Sequence, residues 1–399
     1  MPSVIVSAVR TPVGKFGSTL RTCSAVELGA VAVSEAVVRA GVESTSIDYV
    51  IMGHVLQAGA GQITARQAAI AAGIPREVPA ITLNKVCLSG LSAIALADQL
   101  IRAGEIEVAV AGGMESMSNA PFLIPSARWG ARMGDGEMVD AMVHDGLWST
   151  FTEQTMGESS DEVNEELGLS RADQDSWAAR SHQRAGAAWE SGRFFQEVVG
   201  VEIEGRRGDT SLVERDEGIR PQTTFDSLQG LRPAFSPQGT ITVGNASQLS
   251  DGAAATIVMS AARCEELGLE PLAEIVSYGM SAERFGYLHT VPALALQTAL
   301  KKSGKDVHDL GLVEVNEAFA SVALHSSRML GVDQELVNVN GGSVALGHAI
   351  GSTGARLTVT LVHEMRRRGV EYAAVTLCGG GGQGDALLLR GTRVRAAGG

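Results

Sequence analysis

Short apolar runs alternate with helical patterns through most of this 399-residue chain, and this alternation restricts the fold more than any other feature. The strand-like runs of the first part are SVIVSAV, YVIMGHV, PAITLN and VAVAGG, the last of which is predicted to end at its glycines. Between the first two, SAVELGAVAVSEAVVRAG predicts a helix with Ser24 as its N-cap and Gly41 as its stop. Strand, helix and strand in turn predict a mostly parallel sheet that helices cover on both faces.

The same order of elements occurs twice in the chain. QLIRAGEIEVAVAGG in the first half and HEMRRRGVEYAAVTLCGG in the second both contain a helix end, an Arg/Gly stop, an apolar strand and a Gly-Gly turn. A helix start rich in small residues precedes each of them, in VCLSGLSAIALA and in IGSTGARLTVTLV. This repeat predicts two similar α/β halves whose equivalent helix N-termini face a shared cleft.

The stretch from about residue 114 to residue 248 differs from the rest, because it is more polar and its periodicity is less regular. RADQDSWAARSHQRAGAAWESG predicts a helix with a polar face, and RPQTTFDSLQGLRPAF predicts a loop. A chain of this length is expected to form two or three domains. We predict an N-terminal half at 1–118 and 249–270, an inserted loop domain at 119–248, and a C-terminal half at 271–399.

Charge and cysteine content exclude several classes of function. The net charge of −13, without a basic stripe, argues against nucleic acid as a partner and means that an anionic ligand needs a local basic pocket. The four cysteines show no CxxC spacing and no paired histidines, so neither a zinc site nor a disulfide framework is expected. The sequence shows no leader pattern and no apolar run of membrane-spanning length, which predicts a cytoplasmic protein without membrane contact.

Cys87 stands at the head of a predicted apolar helix in NKVCLSGLSAIALADQLIRAG. Such a cysteine is either a small buried hydrophobe or a nucleophile whose thiolate is stabilised by the helix N-terminus, and this stretch alone leaves both open. Three segments of the second half add Asn316 in EVNEAFA, His348 in a glycine-rich segment, and Cys378 before four consecutive glycines. Together they offer a nucleophile, a base, a second acid/base and backbone N–H groups for an oxyanion hole.

With these segments in view, the sequence resembles the thiolases, the acetyl-CoA C-acyltransferases. The matching segments, in family order from about Val4 to Arg390, are NKVCLSG, GNASQLSDGAA, NEAFA, NVNGGSVALGHAIG and CGGGGQG. The resemblance implies a duplicated five-layer α-β-α-β-α core with an inserted loop domain that holds coenzyme A. It implies ping-pong condensation of thioesters, and the reverse thiolysis of 3-ketoacyl-CoA, in lipid and fatty acid metabolism. The substrates would be acetyl-CoA, acyl-CoA and CoA, with no metal or separate cofactor, in a homodimer or homotetramer.

The resemblance also implies roles for individual residues. Cys87 matches the nucleophile that accepts the acyl group, and His348 matches the base that activates it. Cys378 matches the acid/base that removes the α-proton of the second acyl-CoA. Asn316, through a water, and His348 match one oxyanion hole, and the backbone N–H groups of Cys87 and Gly380 match the other. The residues expected to contact the substrate are Arg220, Ser227, Ser247, Met156, Thr155 and Phe319.

Three departures from the family pattern concern the substrate rather than the catalytic set. Ala349 replaces the proline that usually follows the motif histidine, and Thr155 replaces a histidine near the pantetheine path. RFGYLHTVPA stands where a Met-Gly-x-Gly-Pro run is usual, so that Tyr287, Leu288 and His289 are expected to shape the acyl pocket differently. These changes leave the preferred acyl chain length open.

Two other functions compete with the thiolase interpretation. A 3-ketoacyl synthase-like condensing enzyme of the same superfamily would use a cysteine with two histidines, or with a histidine and an asparagine. Cys378 argues against that alternative, because a synthase lacks a cysteine there. A non-catalytic thiolase-like protein that binds CoA or lipid would not need both cysteines and His348.

Overall fold

A computed structural model describes residues 2–130, 132–205 and 208–392, so Met1 and residues 393–399 of the two predicted halves lie outside the described residues. The strands are β1 (Ser3–Arg10), β2 (Gly14–Lys15), β3 (Tyr49–Gly53), β4 (Ala80–Leu83), β5 (Val108–Ser116), β6 (Phe122–Leu123), β7 (Val139–Asp140), β8 (Trp148–Ser149), β9 (Gln154–Thr155), β10 (Val201–Glu204), β11 (Thr210–Val213), β12 (Ser250–Ser260), β13 (Ala273–Ala282), β14 (Leu312–Val315), β15 (Tyr372–Gly379) and β16 (Gln383–Gly391). The helices are α1 (Ala25–Ala40), α2 (Thr64–Ala71), α3 (Ser89–Ala103), α4 (Met156–Glu166), α5 (Arg171–Glu190), α6 (Phe225–Gln229), α7 (Ala261–Glu266), α8 (Val291–Ser303), α9 (Ala320–Leu330), α10 (Ser343–Leu346) and α11 (Thr353–Arg368).

The main sheet consists of two halves with matching strand order. The first half runs β4-β3-β5-β12-β1, and the second runs β13-β16-β15-β14. A single bridge between Val313 and Val337 occupies the place that β4 has in the first half. Within the sheet, as far as the structure describes the chain, the halves are joined where β1 pairs antiparallel with β13 over the three residues Ser3–Ile5. The predicted duplication is therefore visible in the topology.

The prediction of a mostly parallel sheet is wrong. β3 is parallel to β4 and β5, and β14 is parallel to β15. The pairs that involve β12 or β16, however, are antiparallel. The cause is the type of connection: the long segment 117–249 lets the chain return from β5 in the opposite direction, and a tight turn joins β15 to β16. Gly381 and Gly382 form that turn at φ +80 and +68.

The main sheet and its helices form five layers, which pack on one another through three hydrophobic cores; the central core covers both faces of the middle layer. α1 and α2 cover the outer face of the first half, and their core includes Leu28, Val33 and Met114. α8 and α9 cover the outer face of the second half. Between the two half-sheets lies a layer of α3 and α11, and its core includes Ile94 and Leu357. This arrangement confirms the predicted five-layer α-β-α-β-α core.

The central helix α3 also has the composition of a membrane span. The stretch Val86–Ala103 has a mean hydropathy of 1.4 over 18 residues and is long and apolar enough to cross a membrane, so the prediction that the chain has no such run is wrong. More than half of this stretch is buried inside the protein, which is the usual property of a core helix. Its hydropathy is explained by the two half-sheets that enclose it.

Helix ends were predicted well, but one strand end was not. Ser24 accepts a hydrogen bond from the backbone N–H of Glu27, and Gly41 ends α1 at φ +68, as predicted. β5, by contrast, continues through Gly112 and Gly113 to Ser116. The glycines permit close approach instead of a turn, because a Cβ on Gly113 would lie 2.1 Å from the carbonyl oxygen of Gly351.

The described part of the segment between β5 and β12 contains three α-helices and three two-stranded sheets whose strands are at most four residues long. α5 matches the predicted polar-faced helix. The stretch predicted to be a loop contains the short helix α6, which is capped by Thr224 and Ser227. The division of the chain into two halves and an inserted domain remains a prediction.

We expect Ile94→Ala to lower the free energy of unfolding by about 2–5 kcal/mol, because Ile94 is fully buried in the central layer and the change leaves a cavity. Val38 on α1 is 69% exposed, so Val38→Ala is expected to change that free energy by less than about 0.5 kcal/mol. Urea denaturation of both variants measures the difference. Equal effects of the two substitutions would contradict the central position of α3.

Candidate active site

Cys87 lies in a strained turn between β4 and α3. The preceding residue, Val86, has φ +49, a value that a β-branched side chain adopts only under constraint. Ser89 supplies the constraint: its Oγ accepts from the backbone N–H of Lys85 at 2.8 Å and donates to the carbonyl oxygen of Val86 at 2.6 Å. The turn presents the sulfur of Cys87 to a cavity at the N-terminus of α3.

This cavity has a volume of about 640 Å³ and brings Cys87, His348 and Cys378 to one place. Its walls are predominantly apolar. Aliphatic and aromatic side chains on it include Met117, Leu147, Leu249, Leu288, Phe235 and Ile350. A largely apolar cavity with a few convergent reactive groups is typical of a small-molecule active site.

Hydrogen bonds fix the tautomer of His348. Its Nδ1 lies 2.7 Å from Oγ1 of Thr353, and that hydroxyl lies 2.9 Å from the carbonyl oxygen of Ala349. The carbonyl can only accept, so Thr353 donates to it and accepts from the Nδ1–H of His348. Nε2 is then left with a lone pair, 3.3 Å from Sγ of Cys87. His348 is placed as a proton acceptor for the thiol, and Thr353 is a functional residue that sequence reasoning missed.

Burial keeps this pair neutral at rest. It raises the pKa of the Cys87 thiol to about 12, and the backbone N–H groups of Cys87 and Gly380 offset only part of that effect. Burial, assisted by the charge of Arg356, lowers the pKa of His348 to about 3. In the free protein, burial therefore outweighs the effect of the helix N-terminus on the Cys87 thiol. Both N–H groups favour a negative charge on the sulfur, which would arise during reaction.

Cys378 lies at the end of β15 and is 1% exposed. It packs in a small apolar cluster with Leu288 and Phe319. Burial raises the pKa of its thiol, and the proximity of Cys87 raises it further. The two thiols are thus close enough for the charge of one to affect the other.

Asn316 follows β14 and is fully buried behind the cavity wall rather than on it. Its Oδ1 accepts a hydrogen bond of 2.7 Å from Oγ of Ser343. Its Nδ2 has no hydrogen-bond partner within the described part of the chain. The neighbouring Glu317 has a different role: its carboxylate accepts from Trp177 and Ser181 of α5 and from the backbone N–H of Val344, and so ties the segment before His348 to α5.

Five of the six expected substrate contacts lie on the cavity wall, namely Thr155, Met156, Arg220, Ser247 and Phe319. Arg220 is exposed there, and its guanidinium forms no ion pair with a described residue. Thr155 also caps α4 through a hydrogen bond from the backbone N–H of Glu158. Ser227 does not reach this wall: it is exposed on α6, where its hydroxyl donates to the carbonyl of Thr224.

The three residues of the divergent segment have separate positions. Leu288 lines the cavity, as expected. His289 is buried behind it, 2.9 Å from Oδ1 of Asn164, and burial lowers its pKa to about 3. Tyr287 faces outward beneath the guanidinium of Arg284. Within the described ranges, no group of three or more His, Cys, Asp or Glu side chains is arranged to hold a metal ion.

The sequence matches the family model "Thiolase, N-terminal domain" at residues 3–262 and "Thiolase, C-terminal domain" at residues 269–391. The chain therefore belongs to the thiolase family, as the resemblance had predicted. The curated "Probable acetyl-CoA acetyltransferase" of Mycolicibacterium smegmatis is 54% identical over 97% of this chain and all of its own length.

Two further relatives agree with this assignment. The acetyl-CoA acetyltransferase of Cupriavidus necator is 50% identical over 97% of this chain and 98% of its own length. The crystal structure of the Bacillus anthracis acetyl-CoA acetyltransferase superimposes with a TM-score of 0.96 at 42% identity, over 98% of this chain and 99% of that one. The prediction of an acyltransferase enzyme is confirmed by this full-length similarity.

We expect the rate of Cys87 alkylation by iodoacetamide to rise about tenfold per pH unit from pH 6.5 to 9.5. The thiolate is the reactive form, and a thiol whose pKa is raised to about 12 gains thiolate steadily as pH rises below that value. His348, with a pKa lowered to about 3, stays neutral throughout this range. The rate is followed by mass spectrometry of the Cys87 peptide, with Cys87→Ala as the blank. A rate that is constant from neutral pH upward would mean that the thiolate exists at rest.

Proposed function

We propose that this protein is an acetyl-CoA C-acyltransferase that condenses two acyl-CoA thioesters, or cleaves 3-ketoacyl-CoA, through an acyl-Cys87 intermediate. The observation that supports this most is the presence of two thiols, Cys87 and Cys378, on one apolar cavity, with a histidine lone pair directed at only one of them. One thiol then serves as the nucleophile and the other as the acid/base. A second cysteine on this wall argues against a synthase-like enzyme.

In the first step, Sγ of Cys87 attacks the thioester carbonyl and its proton passes to Nε2 of His348. The backbone N–H groups of Cys87 and Gly380, which favour negative charge beside this sulfur, stabilise the oxyanion. Cys378 donates its proton to the departing coenzyme A thiolate. The step leaves acyl-Cys87, a Cys378 thiolate and a protonated His348.

In the second step, the Cys378 thiolate takes the α-proton of acetyl-CoA, and the enolate attacks the acyl group on Cys87. Acylated Cys87 can no longer carry a negative charge, so one cause of the raised pKa of Cys378 is removed. His348 now carries a hydrogen on Nε2 and can donate to the enolate oxygen, together with a water held by Nδ2 of Asn316. Its proton returns to Cys87 when the product leaves, and all groups regain their resting state.

The substrates proposed are acetyl-CoA, acyl-CoA and CoA, with no cofactor beyond them. Arg220 supplies the local positive charge that an acidic protein needs to hold the nucleotide end of coenzyme A. Thr155, Met156, Ser247 and Phe319 would contact the rest of the ligand, and the place of Ser227 on α6 suits an outer contact at most.

We also propose a cytoplasmic homo-oligomer that acts in fatty acid metabolism. All four cysteines, each in the described part of the chain, are free thiols, which suits a reducing compartment. Large apolar side chains project from the segment 122–138, where Phe122, Trp129 and Met138 are exposed. Such a patch is typical of a surface that another subunit covers.

We expect Cys378→Ala to retain transfer of an acetyl group to Cys87 but to lose exchange of the acetyl-CoA methyl protons with solvent. Cys378 is indispensable only where a carbon–hydrogen bond is broken or formed, because the departing coenzyme A thiolate can take its proton from water instead. Mass spectrometry after brief exposure to acetyl-CoA measures the first activity, and NMR in D₂O measures the second. Cys87→Ala is the matched control, because it removes the other thiol and is expected to abolish acetylation. Acetyl groups found on Cys378 would reverse the roles of the two cysteines.

We expect Arg220→Ala to raise the KM for acetyl-CoA with little change in kcat, since a contact with the nucleotide binds ground state and transition state alike. Initial-rate kinetics are compared with those for a truncated pantetheine thioester that lacks the nucleotide. The increase in KM is expected to disappear with the truncated substrate. An equal increase with both substrates would place Arg220 away from the nucleotide.

A further inference from the structure

The orientation of the Asn316 amide determines what this side chain can do. Only the amide nitrogen can donate a hydrogen bond to a water or to an enolate oxygen, and a rotation of 180° would place the carbonyl oxygen there instead. In the structure Nδ2 is the free end and Oδ1 accepts from Ser343 at 2.7 Å. Some feature of the surroundings has to hold the amide in this orientation.

Ser343 alone cannot hold it, because a hydroxyl is both a donor and an acceptor. Its Oγ also contacts Nη2 of Arg356 at 3.1 Å. A guanidinium only donates, so the Ser343 oxygen must accept from Arg356, and its single hydrogen is directed to Asn316. With that hydrogen in place, the amide atom that faces Ser343 has to be an acceptor, which is Oδ1. The three side chains thus form a one-way series of hydrogen bonds that leaves Nδ2 free.

Arg356 is poorly explained as a purely structural residue. It is 3% exposed, and its closest carboxylate, that of Glu314, is 3.8 Å away. Nη1 of Arg356 and Oε2 of Glu314 both lack hydrogen-bond partners among the described residues. A buried guanidinium in such a loose ion pair costs stability. Its short contact is the one with Ser343.

We infer that Ser343 and Arg356 are positioning residues that hold Asn316 with its amide nitrogen directed at the second substrate. This inference rests on the proposed function, in which Nδ2 of Asn316 holds a water beside the enolate oxygen. The oxyanion site formed by the N–H groups of Cys87 and Gly380 serves the acyl group on Cys87 and is independent of this series. Disturbing the series should therefore affect the enolate step and spare acylation.

The test compares Ser343→Ala with Ser327→Ala. Both serines are fully buried, and the hydroxyl of Ser327 donates only to the carbonyl of Ala323 in its own helix. We expect Ser343→Ala to lower deuterium incorporation into the methyl group of acetyl-CoA about 10–100-fold, because loss of one oxyanion donor typically costs 10²–10³-fold and this variant loses only its orientation. The initial burst of Cys87 acetylation is expected to stay within about twofold of wild type. Ser327→Ala is expected to change neither rate.

Asn316→Ala and the double variant show whether Ser343 acts through Asn316. If it does, Ser343→Ala causes no further loss of exchange when Asn316 is already absent. Exchange at the wild-type rate in Ser343→Ala, exchange at the wild-type rate in Asn316→Ala, an additive loss in the double variant, or an equal loss of acetylation and exchange would each overturn the inference. Absence of acetyl-Cys87 in the wild-type protein would instead overturn the proposed function.

The role of Arg356 is tested with the double variant Arg356→Met/Glu314→Gln. The second substitution is included because Glu314 would otherwise be a buried carboxylate without a positively charged neighbour. Methionine has no donor, and the hydroxyl of Ser343 is then free to turn away from Asn316. We expect deuterium exchange to fall about tenfold with the acetylation burst retained, and Glu314→Gln alone to retain both. Wild-type exchange in the double variant would remove Arg356 from the series.

Discussion

The two halves of this protein approach each other most closely around the carbonyl group of Gly351. Three glycines from the first half surround it: a Cβ on Gly53, Gly90 or Gly113 would lie 2.6, 3.1 or 2.1 Å from its oxygen. They belong to β3, α3 and β5, so three elements of one half approach a single loop of the other. That loop carries His348, three residues earlier. The 3.3 Å contact between His348 and Cys87 therefore depends on the absence of three side chains.

The chemistry that this contact permits is set by burial more than by charge. Cys87 and His348 are kept neutral in the apolar cavity near neutral pH, and during reaction both become charged when the proton of the thiol passes to the histidine. Donors are already in place where the new negative charge would form, at the backbone N–H groups of Cys87 and Gly380. The cavity thus suppresses reaction with water-borne electrophiles while it remains ready for a bound thioester.

The sequence predicted those features that depend on local chemistry. The ends of α1 follow from Ser24 and Gly41, and the reactive residues follow from motifs with characteristic glycine spacing. Sequence reasoning failed for features that depend on contacts between distant parts of the chain. In the sequence, the pair Gly112 and Gly113 looks like a turn at the end of a strand. Only the structure shows that Ala254 and Gly351 lie against these glycines and leave no room for side chains.

Other features could not be predicted from the sequence because they depend on packing between secondary-structure elements. The direction of β12 depends on a connection of more than a hundred residues. Thr353 and Ser343 are ordinary small residues in the sequence, and only their distances to His348 and Asn316 give them a function. The raised pKa of Cys87 could not be predicted either, since it arises from the depth of burial rather than from the helix start that the sequence shows.

The order of strands in the first half has a consequence for the synthesis of the protein. β1 is made first, yet both of its neighbours, β12 and β13, lie about 250 residues later in the chain. At about 5–20 residues per second, a ribosome needs roughly 10–50 seconds to deliver them. During that interval the apolar strand β1 has neither of its two sheet neighbours, and such unpaired edges are prone to pair with other chains. The sheet can therefore be completed around β1 only after the segment 250–282 has left the ribosome.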